Sequence, residues 1–351
     1  MHNASYDSEI TRIRQRLDAL DAERSSLLER LEALEHEKNN AHAVTKKVVS
    51  RSAEEKIAIF RSLFRGREDV YPKRWDNRKT GRSGYSPACG NEWVRGVCEK
   101  PRIKCSDCPN QAFLPITDEL LRQHLTGHDA RGRAQECTIG VYPLLPDETC
   151  WFLAADFDKE HWQKDIAAFL QTCRSKNVPA YVERSRSGNG SHVWIFFTQP
   201  VSAADARKLG SYLLTETMEH YPDLGFTSYD RFFPNQDTMP TGGFGNLIAL
   251  PLQHDPRKAG NSVFLDKQFE PYADQWDLLA SVRRMSPGDL EVLVAEAISR
   301  GRVTGLHIPV DDEDAEEPWK MAPSRKPKPL ELADPLPDNI NMVYGNQLYI
   351  P

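Results

Sequence analysis

The stretch TCWFLAADFD, residues 149–158, sets the strongest constraint on how this 351-residue chain folds. Its apolar run ends in two carboxylates two places apart. Side chains alternate along an extended strand, so Asp156 and Asp158 share one face and Phe157 points to the other. The next hundred residues fix what surrounds that strand. Trp162, Ile166, Phe169, Leu170 and Cys173 recur at helical spacing over 160–176. PAYVERS (179–185) and SHVWIFF (191–197) read as strands, and 202–221 as a second helix with Ala206, Leu209, Leu213 and Met218 on one side. NLIALPLQ (246–253) and SVFLD (262–266) read as further strands, and 274–300 as two helices. The order β-α-β-β-α-β from 149 onward predicts an α+β fold of the split βαβ kind. Its sheet is expected to be antiparallel, with helices on one face, the other face open to a substrate, and the first and third strands adjacent at the centre. Such a fold hosts many functions, so the chemistry must come from the residues.

Two carboxylates this close repel when ionised, and a divalent cation removes that cost. Hard Mg²⁺ or Mn²⁺ prefers carboxylate oxygen. Alternatively, D-x-D is only a solvated strand end. The loop SRSGNGSHVW brings Arg186, Ser191 and His192 to the start of the third strand, beside the carboxylates. Arg186 offers a fork for phosphate, Ser191 and His192 offer compact donors, and Gly188 and Gly190 allow backbone amides close to an anion. Taken alone, His192 would read as a satisfied core histidine. TSYDRFFPNQD supplies a third carboxylate, for which Asp230 is preferred, because Asp237 after Pro-Asn-Gln resembles a turn residue. Three carboxylates suit two metals about 4 Å apart for in-line phosphoryl or nucleotidyl transfer. After the strand at 246–253, Arg257 or Lys258 could meet further phosphates, with ordinary surface charge as the other reading.

Outside this core, Cys89, Cys98, Cys105 and Cys108 have the spacing C-x8-C-x6-C-x2-C. In an intracellular chain that clustering favours metal over disulfides and predicts a closed tetrahedral Zn²⁺ site, the alternative being free buried cysteines. His124, His128 and Cys137 are reserve ligands. At the N-terminus Ile10, Ile13, Leu17, Leu20, Leu27, Leu31 and Leu34 follow heptad steps interrupted only at Arg24, which predicts a coiled-coil dimer or else a lone amphipathic helix packed on its own domain. A polar hinge (38–54), a short helix (53–65) and a Gly-, Arg-, Lys- and Pro-rich loop (66–88) follow. The net charge of −6 does not advertise nucleic acid, but residues 45–82 hold twelve Lys and Arg against five Asp and Glu. DDEDAEE (311–317) and PSRKPKPLELADPLP read as an acidic, extended linker. The final INMVYGNQLYIP reads as a strand-like stretch that continues into a following domain. No apolar run approaches the ~20 residues that span a bilayer, and the N-terminus lacks a secretory pattern. A cytoplasmic protein with reduced thiols is expected.

DFD (156–158), GSHVWIFF (190–197) and SYD (228–230) together resemble the three motifs of the archaeo-eukaryotic primase superfamily. The middle motif departs from Ser-x-His, with Gly190 where the hydroxyl would stand and Ser191 adjacent to His192. CGNEWVRGVCEKPRIKCSDCPNQAF, SRSGNGSHVW, YDRFFPNQD and GNLIALPLQ resemble the primase-polymerase domain of TOTE conflict systems and its CRISPR-associated relatives, over roughly 85–300 plus VYGNQLYIP. The resemblance implies an archaeo-eukaryotic primase core with an RRM-like (βαββαβ) palm and template-dependent nucleotide addition, in mobile-element defence or DNA repair. By that analogy Asp156, Asp158 and Asp230 bind two Mg²⁺ or Mn²⁺ ions, and Arg186, Ser191, His192 and Arg257 bind the incoming NTP or dNTP. Single-stranded or primed DNA would lie along Arg74, Trp75, Arg78 and Trp93, and helicase or nuclease modules would be partners. The expected organisation is a coiled-coil helix (1–40), a basic linker and short helix (41–84), an N-terminal primase module with the zinc knuckle (85–148), a catalytic module (149–303), and a linker opening a following domain (304–351). A metal-dependent nuclease and a non-catalytic zinc-bearing nucleic-acid-binding module are the competing readings. Against a replication-initiator nuclease, there is no His-hydrophobic-His motif.

Overall fold

The computed structural model describes residues 51–302 except Arg78, Glu136, Asp223, Gly225 and Thr241, together with parts of a helix between residues 9 and 34 and two short strands at 342–349. Helix α1 (Ala53–Leu63) starts at a reciprocal cap, in which the Ser52 hydroxyl accepts from the Glu55 N–H and the Glu55 carboxylate accepts from the Ser52 N–H. The stretch 66–88, expected as loop, instead holds an antiparallel hairpin of β1 (Pro72–Asn77) and β2 (Arg82–Pro87). Its strands are polar and largely exposed, so they lack the apolar alternation by which a strand is read. Helix α2 (Asp118–Thr126) ends at Gly127, whose φ of +70° closes the helix in a left-handed cap. Of the strand expected at 138–145 only β3 (Gly140–Val141) forms.

The central sheet then follows from β4 (Thr149–Asp158), α3 (Trp162–Ser175), β5 (Tyr181–Arg184), β6 (Gly190–Ser202), α4 (Ala203–His220) and β7 (Tyr229–Phe233). After these come β8 (Ile248–Ala249), α5 (His254–Lys258), β9 (Phe264–Leu265), α6 (Gln275–Ser281) and α7 (Pro287–Ser299). The strand order is β7-β4-β6-β5-β9, with every neighbouring pair antiparallel. The first and third strands, β4 and β6, are therefore adjacent at the centre, as expected. The fourth strand differs from expectation. It is Tyr229–Phe233 that pairs with β4, whereas 246–253 contributes only β8, paired with β3 in a separate two-stranded sheet.

Helices α3 and α4 cover one face of the sheet. Phe157 packs on Phe169 of α3 with ring centroids 5.6 Å apart. Gly210 lets α4 approach closely, because a Cβ there would come 2.6 Å from the Phe232 ring. The opposite face is not open along its whole length. Phe64, at the end of α1, stands edge-on to Trp194 at 5.0 Å, and Phe152 and Phe196 complete the cluster. Each of these rings is at most 5% exposed, and burying a side chain of that kind contributes on the order of 1.5–3 kcal/mol. The carboxylates lie at the other end of β4.

The described residues between 9 and 34 are helical, and Ile13, Leu17, Leu20, Leu27 and Leu34 are exposed. Arg24, which interrupts the heptad pattern, donates to the Ser175 carbonyl at the end of α3. In a second unit of the chain, β10 (Met342–Tyr344) and β11 (Gln347–Tyr349) pair antiparallel. Thus the final apolar stretch pairs with itself. Most of the polar hinge and the acidic, proline-rich linker lie outside the described residues. Among the described residues no helix is long and apolar enough to cross a membrane.

Candidate active site

Asp156 and Asp158 occupy one face of the last turn of pleat in β4, as their spacing requires. Asp230 reaches them from β7 by a bulge. Ala155 pairs with Phe232 and Phe157 with Tyr229, so Asp230 and Arg231 together oppose Asp156. The extra residue bends β7 and re-aims its side chains. The junction is tied by the Asp158 N–H, which donates to the Ser228 carbonyl at 2.7 Å, and by the Ser228 hydroxyl, which donates to the buried Asp165 carboxylate at 2.5 Å. Ligand oxygens of Asp156, Asp158 and Asp230 all lie within 4.8 Å of one another, the one group of three or more metal-binding side chains gathered so closely among the described residues.

At that separation two full carboxylate charges repel by about 3 kcal/mol with an effective dielectric of about 20. Burial pushes the Asp156 carboxyl up to about 7, with His192 pulling it back and Asp158 and Asp230 adding to the rise. Asp158 is raised as well, chiefly by burial. Asp156 Oδ1 is buried without a hydrogen-bond partner. A cluster of this kind, acidic, repulsive and with an orphaned oxygen, fits a hard divalent cation. Arg231 compensates in part, its Nε donating to Asp230 Oδ2 at 2.7 Å.

His192 lies on β6 directly opposite Asp156, with Nε2 at 3.6 Å from Asp156 Oδ1. On its other side Glu183 of β5 is directly opposite, and His192 Nδ1 is 2.5 Å from Glu183 Oε2. Burial opposes charging this ring, but Glu183 and Asp156 outweigh it and push the imidazole up to about 9. Glu183, only 2% exposed, was not among the residues singled out from sequence. Gly190 is opposite Asp158, and a Cβ there would lie 2.1 Å from Asp158 Oδ1. The absence of a side chain makes room for the carboxylate.

One expected site residue lies on the other face of the sheet. Ser191 pairs with Phe157 and so faces the helices, on the side away from Asp156 and His192; it is fully buried and its hydroxyl has no partner. A one-residue offset on a strand reverses the face. Arg186 donates through one guanidinium nitrogen to Gln253 Oε1 at 2.5 Å and Thr138 Oγ1 at 3.2 Å. Arg257, on α5, donates to the Leu125 carbonyl at 2.9 Å, and burial lowers its pKa. Asp237 pairs with Arg207 on α4, apart from the carboxylate group.

Cys89, Cys98, Cys105 and Cys108 line one small concavity with Glu92 and Lys100. All four are free thiols, and a single turn of 3₁₀ helix, Cys105–Asp107, leads to the last of them. Burial raises the Cys105 thiol, Lys100 opposes the rise, and Cys89 and Cys98 add to it. His124 is not a reserve ligand. It is buried, its Nε2–H donates to the Pro251 carbonyl at 3.0 Å and its Nδ1 accepts the Ile139 N–H at 3.3 Å. Burial holds it down to about 4, so it is a neutral core histidine.

No curated protein matches the chain. Among solved structures, the polymerase domain from Mycobacterium tuberculosis ligase D in complex with DNA is similar at 10% identity, with a TM-score of 0.33, over 71% of this chain and 90% of that one. Residues 55–293 match the family described as the TOTE conflict system, archaeo-eukaryotic primase domain. With more than half of its length matched, and with DFD, the His192 strand and Asp230 inside the matched region, the chain belongs to that archaeo-eukaryotic primase family.

Proposed function

We propose that this chain is a metal-dependent nucleotidyltransferase, a primase-polymerase that adds nucleotides to a strand on a DNA template and also starts strands. The observation that carries this reading is the meeting of Asp156, Asp158 and Asp230 within 4.8 Å at the end of β4, whose neighbouring strand carries His192. Asp156, Asp158 and Asp230 would hold two Mg²⁺ or Mn²⁺ ions, which when bound supply Lewis-acid polarisation of the attacking hydroxyl and of the triphosphate. His192, Arg186 and Arg257 would meet the phosphates of the incoming nucleotide. Ser191 is left out of that set, because its hydroxyl lies on the helix-covered face. The template would run along the polar hairpin and its neighbours, where Trp75 is 40% and Trp93 67% exposed, for stacking beside phosphate-binding Arg and Lys. Arg78, expected in the same role, lies outside the described residues.

The cysteine set fits a structural Zn²⁺ in donor chemistry and shares one concavity, and its sulfurs, no three of which lie within 4.8 Å of one another, would draw together around the ion. The exposed leucine stripe of the N-terminal helix, in heptad register, fits a second copy of the same helix. Helicase or nuclease modules of the same system would be its partners.

Purified protein incubated with a template, labelled nucleotides and Mn²⁺, with and without a primer, should yield lengthened or new strands. The Asp156→Ala variant should yield none. Synthesis that persists in that variant refutes the assignment. Shortening of the substrate would support a nuclease instead, and binding without turnover a non-catalytic module.

A further inference from the structure

Glu183, His192 and Asp156 form a row across three strands, each directly opposite the next in β5, β6 and β4. The row is asymmetric. Glu183 sits 2.5 Å from His192 Nδ1, a close hydrogen bond, whereas Asp156 Oδ1 is 3.6 Å from Nε2, beyond hydrogen-bonding reach. The ring is also walled in, with Trp194 at 6.2 Å and Phe233 at 6.4 Å, both nearly perpendicular to it. An ionised carboxylate can only accept, so the contact with Glu183 requires hydrogen on Nδ1. Glu183 makes no other side-chain hydrogen bond among those described, and it is nearly inaccessible. A buried carboxylate is costly unless its interaction is worth keeping.

We propose that Glu183 is a positioning residue for His192: it fixes the imidazole plane and keeps hydrogen on Nδ1, so that Nε2 is the ring atom presented to the incoming nucleotide beside Asp156. The inference rests on the nucleotidyl-transfer reading for its substrate, but the orientation of the ring is testable without it. The logic is that of carboxylate–histidine pairs in which the outer group fixes the orientation of the inner ring.

Two measurements on the full chain decide the matter. In ¹⁵N-histidine-labelled, metal-free protein, with His192 assigned by difference from His192→Asn, the wild type should show a protonated, hydrogen-bonded Nδ1. Glu183→Gln, which keeps the size but can also donate, should lose that signature. In nucleotide addition, Glu183→Gln should raise the KM for the nucleotide on the order of 10- to 100-fold, the usual scale for losing an outer-shell partner, with a smaller change in kcat. In a His192→Asn background the same substitution should add nothing. A wild-type Nδ1 without hydrogen, an unchanged spectrum in Glu183→Gln, or additive effects of the two substitutions would each overturn the proposal. If Glu183→Gln does not fold, Glu183→Asp and the wild-type spectrum still judge it. If the wild type makes no product, the functional reading fails, while the nitrogen spectrum alone decides the role of Glu183.

Discussion

Replacing Asp156 with Asn removes one charge from the carboxylate group and leaves its shape, so it separates what the cluster does for catalysis from what it costs the fold. Burial, reinforced by Asp158 and Asp230 against the pull of His192 and Arg231, pushes Asp156 from 3.8 up to about 7. A displacement of that size corresponds to about 4 kcal/mol between the two protonation states. The sign follows from linkage. Between pH 3.8 and about 7 the folded protein binds this proton and the unfolded chain does not, so stability falls as pH rises through that window. His192, pushed from 6.5 up to about 9, acts in the same direction at higher pH, since its contribution is complete below 6.5 and is lost through 9. Metal-free wild type should therefore be most stable at mildly acidic pH. Asp156→Asn should melt higher than wild type at pH 8, by about 2–4 kcal/mol, or roughly 5–10 °C for a domain of this size, and the gain should shrink towards pH 5. Thermal melts in chelator at both pH values read this directly. Adding Mn²⁺ should then raise the melting temperature of the wild type more than that of the variant, which keeps only two of the three carboxylates. A variant no more stable than wild type at pH 8, or equally shifted at both pH values, would refute the account of a strained, cation-seeking cluster.

Three further outcomes are expected. Gly190→Ala should cut strand extension by about 100-fold or more and also lower the melting temperature, since the new Cβ would fall 2.1 Å from Asp158 Oδ1 and 2.6 Å from the Phe157 carbonyl oxygen, so that side chain and backbone must both shift; near-normal extension would mean that the position of Asp158 is uncritical. Metal analysis should find about one zinc per chain, and Cys105→Ser with Cys108→Ser should release it and lower the melting temperature, whereas a zinc-free protein of unchanged stability would leave the four thiols as ordinary side chains. Sedimentation should give a dimer for the full chain and a monomer for Leu17→Glu with Leu27→Glu, both leucines being exposed on the N-terminal helix; identical masses would remove the coiled-coil pairing.

The parts of this site that sequence made legible are those governed by local period. Asp156 and Asp158 share a face because strands alternate, and β4 meets β6 because the β-α-β-β-α-β order leaves little choice. What was hidden depends on register. NLIALPLQ has the more apolar composition, yet TSYDRFF supplies the fourth strand, because pairing with β4 and packing under α4, rather than intrinsic preference, decide what becomes sheet. Ser191 sits beside His192 in sequence and on the opposite face in space. Glu183 reads as one more polar residue of PAYVERS until the β5–β6 pairing sets it against His192.

The two strand neighbours of His192 explain why a histidine rather than a lysine suits this place. A flexible ammonium between Glu183 and Asp156 could pair directly with either carboxylate and would be drawn onto Asp156 Oδ1, covering that oxygen. An imidazole is rigid and has two distinct nitrogens on opposite edges. With one edge taken up by Glu183 at 2.5 Å, the ring cannot follow Asp156, and the remaining 3.6 Å keeps Asp156 Oδ1 unpartnered. The bulge in β7 works to the same end, bringing Asp230 in at a point where a regular ladder would have set a single residue opposite Asp156. Both devices gather carboxylates at one end of an otherwise well-packed sheet and leave Asp156 Oδ1 without a partner. Such a destabilising arrangement accords with the proposed metal site, where a bound cation would complete it.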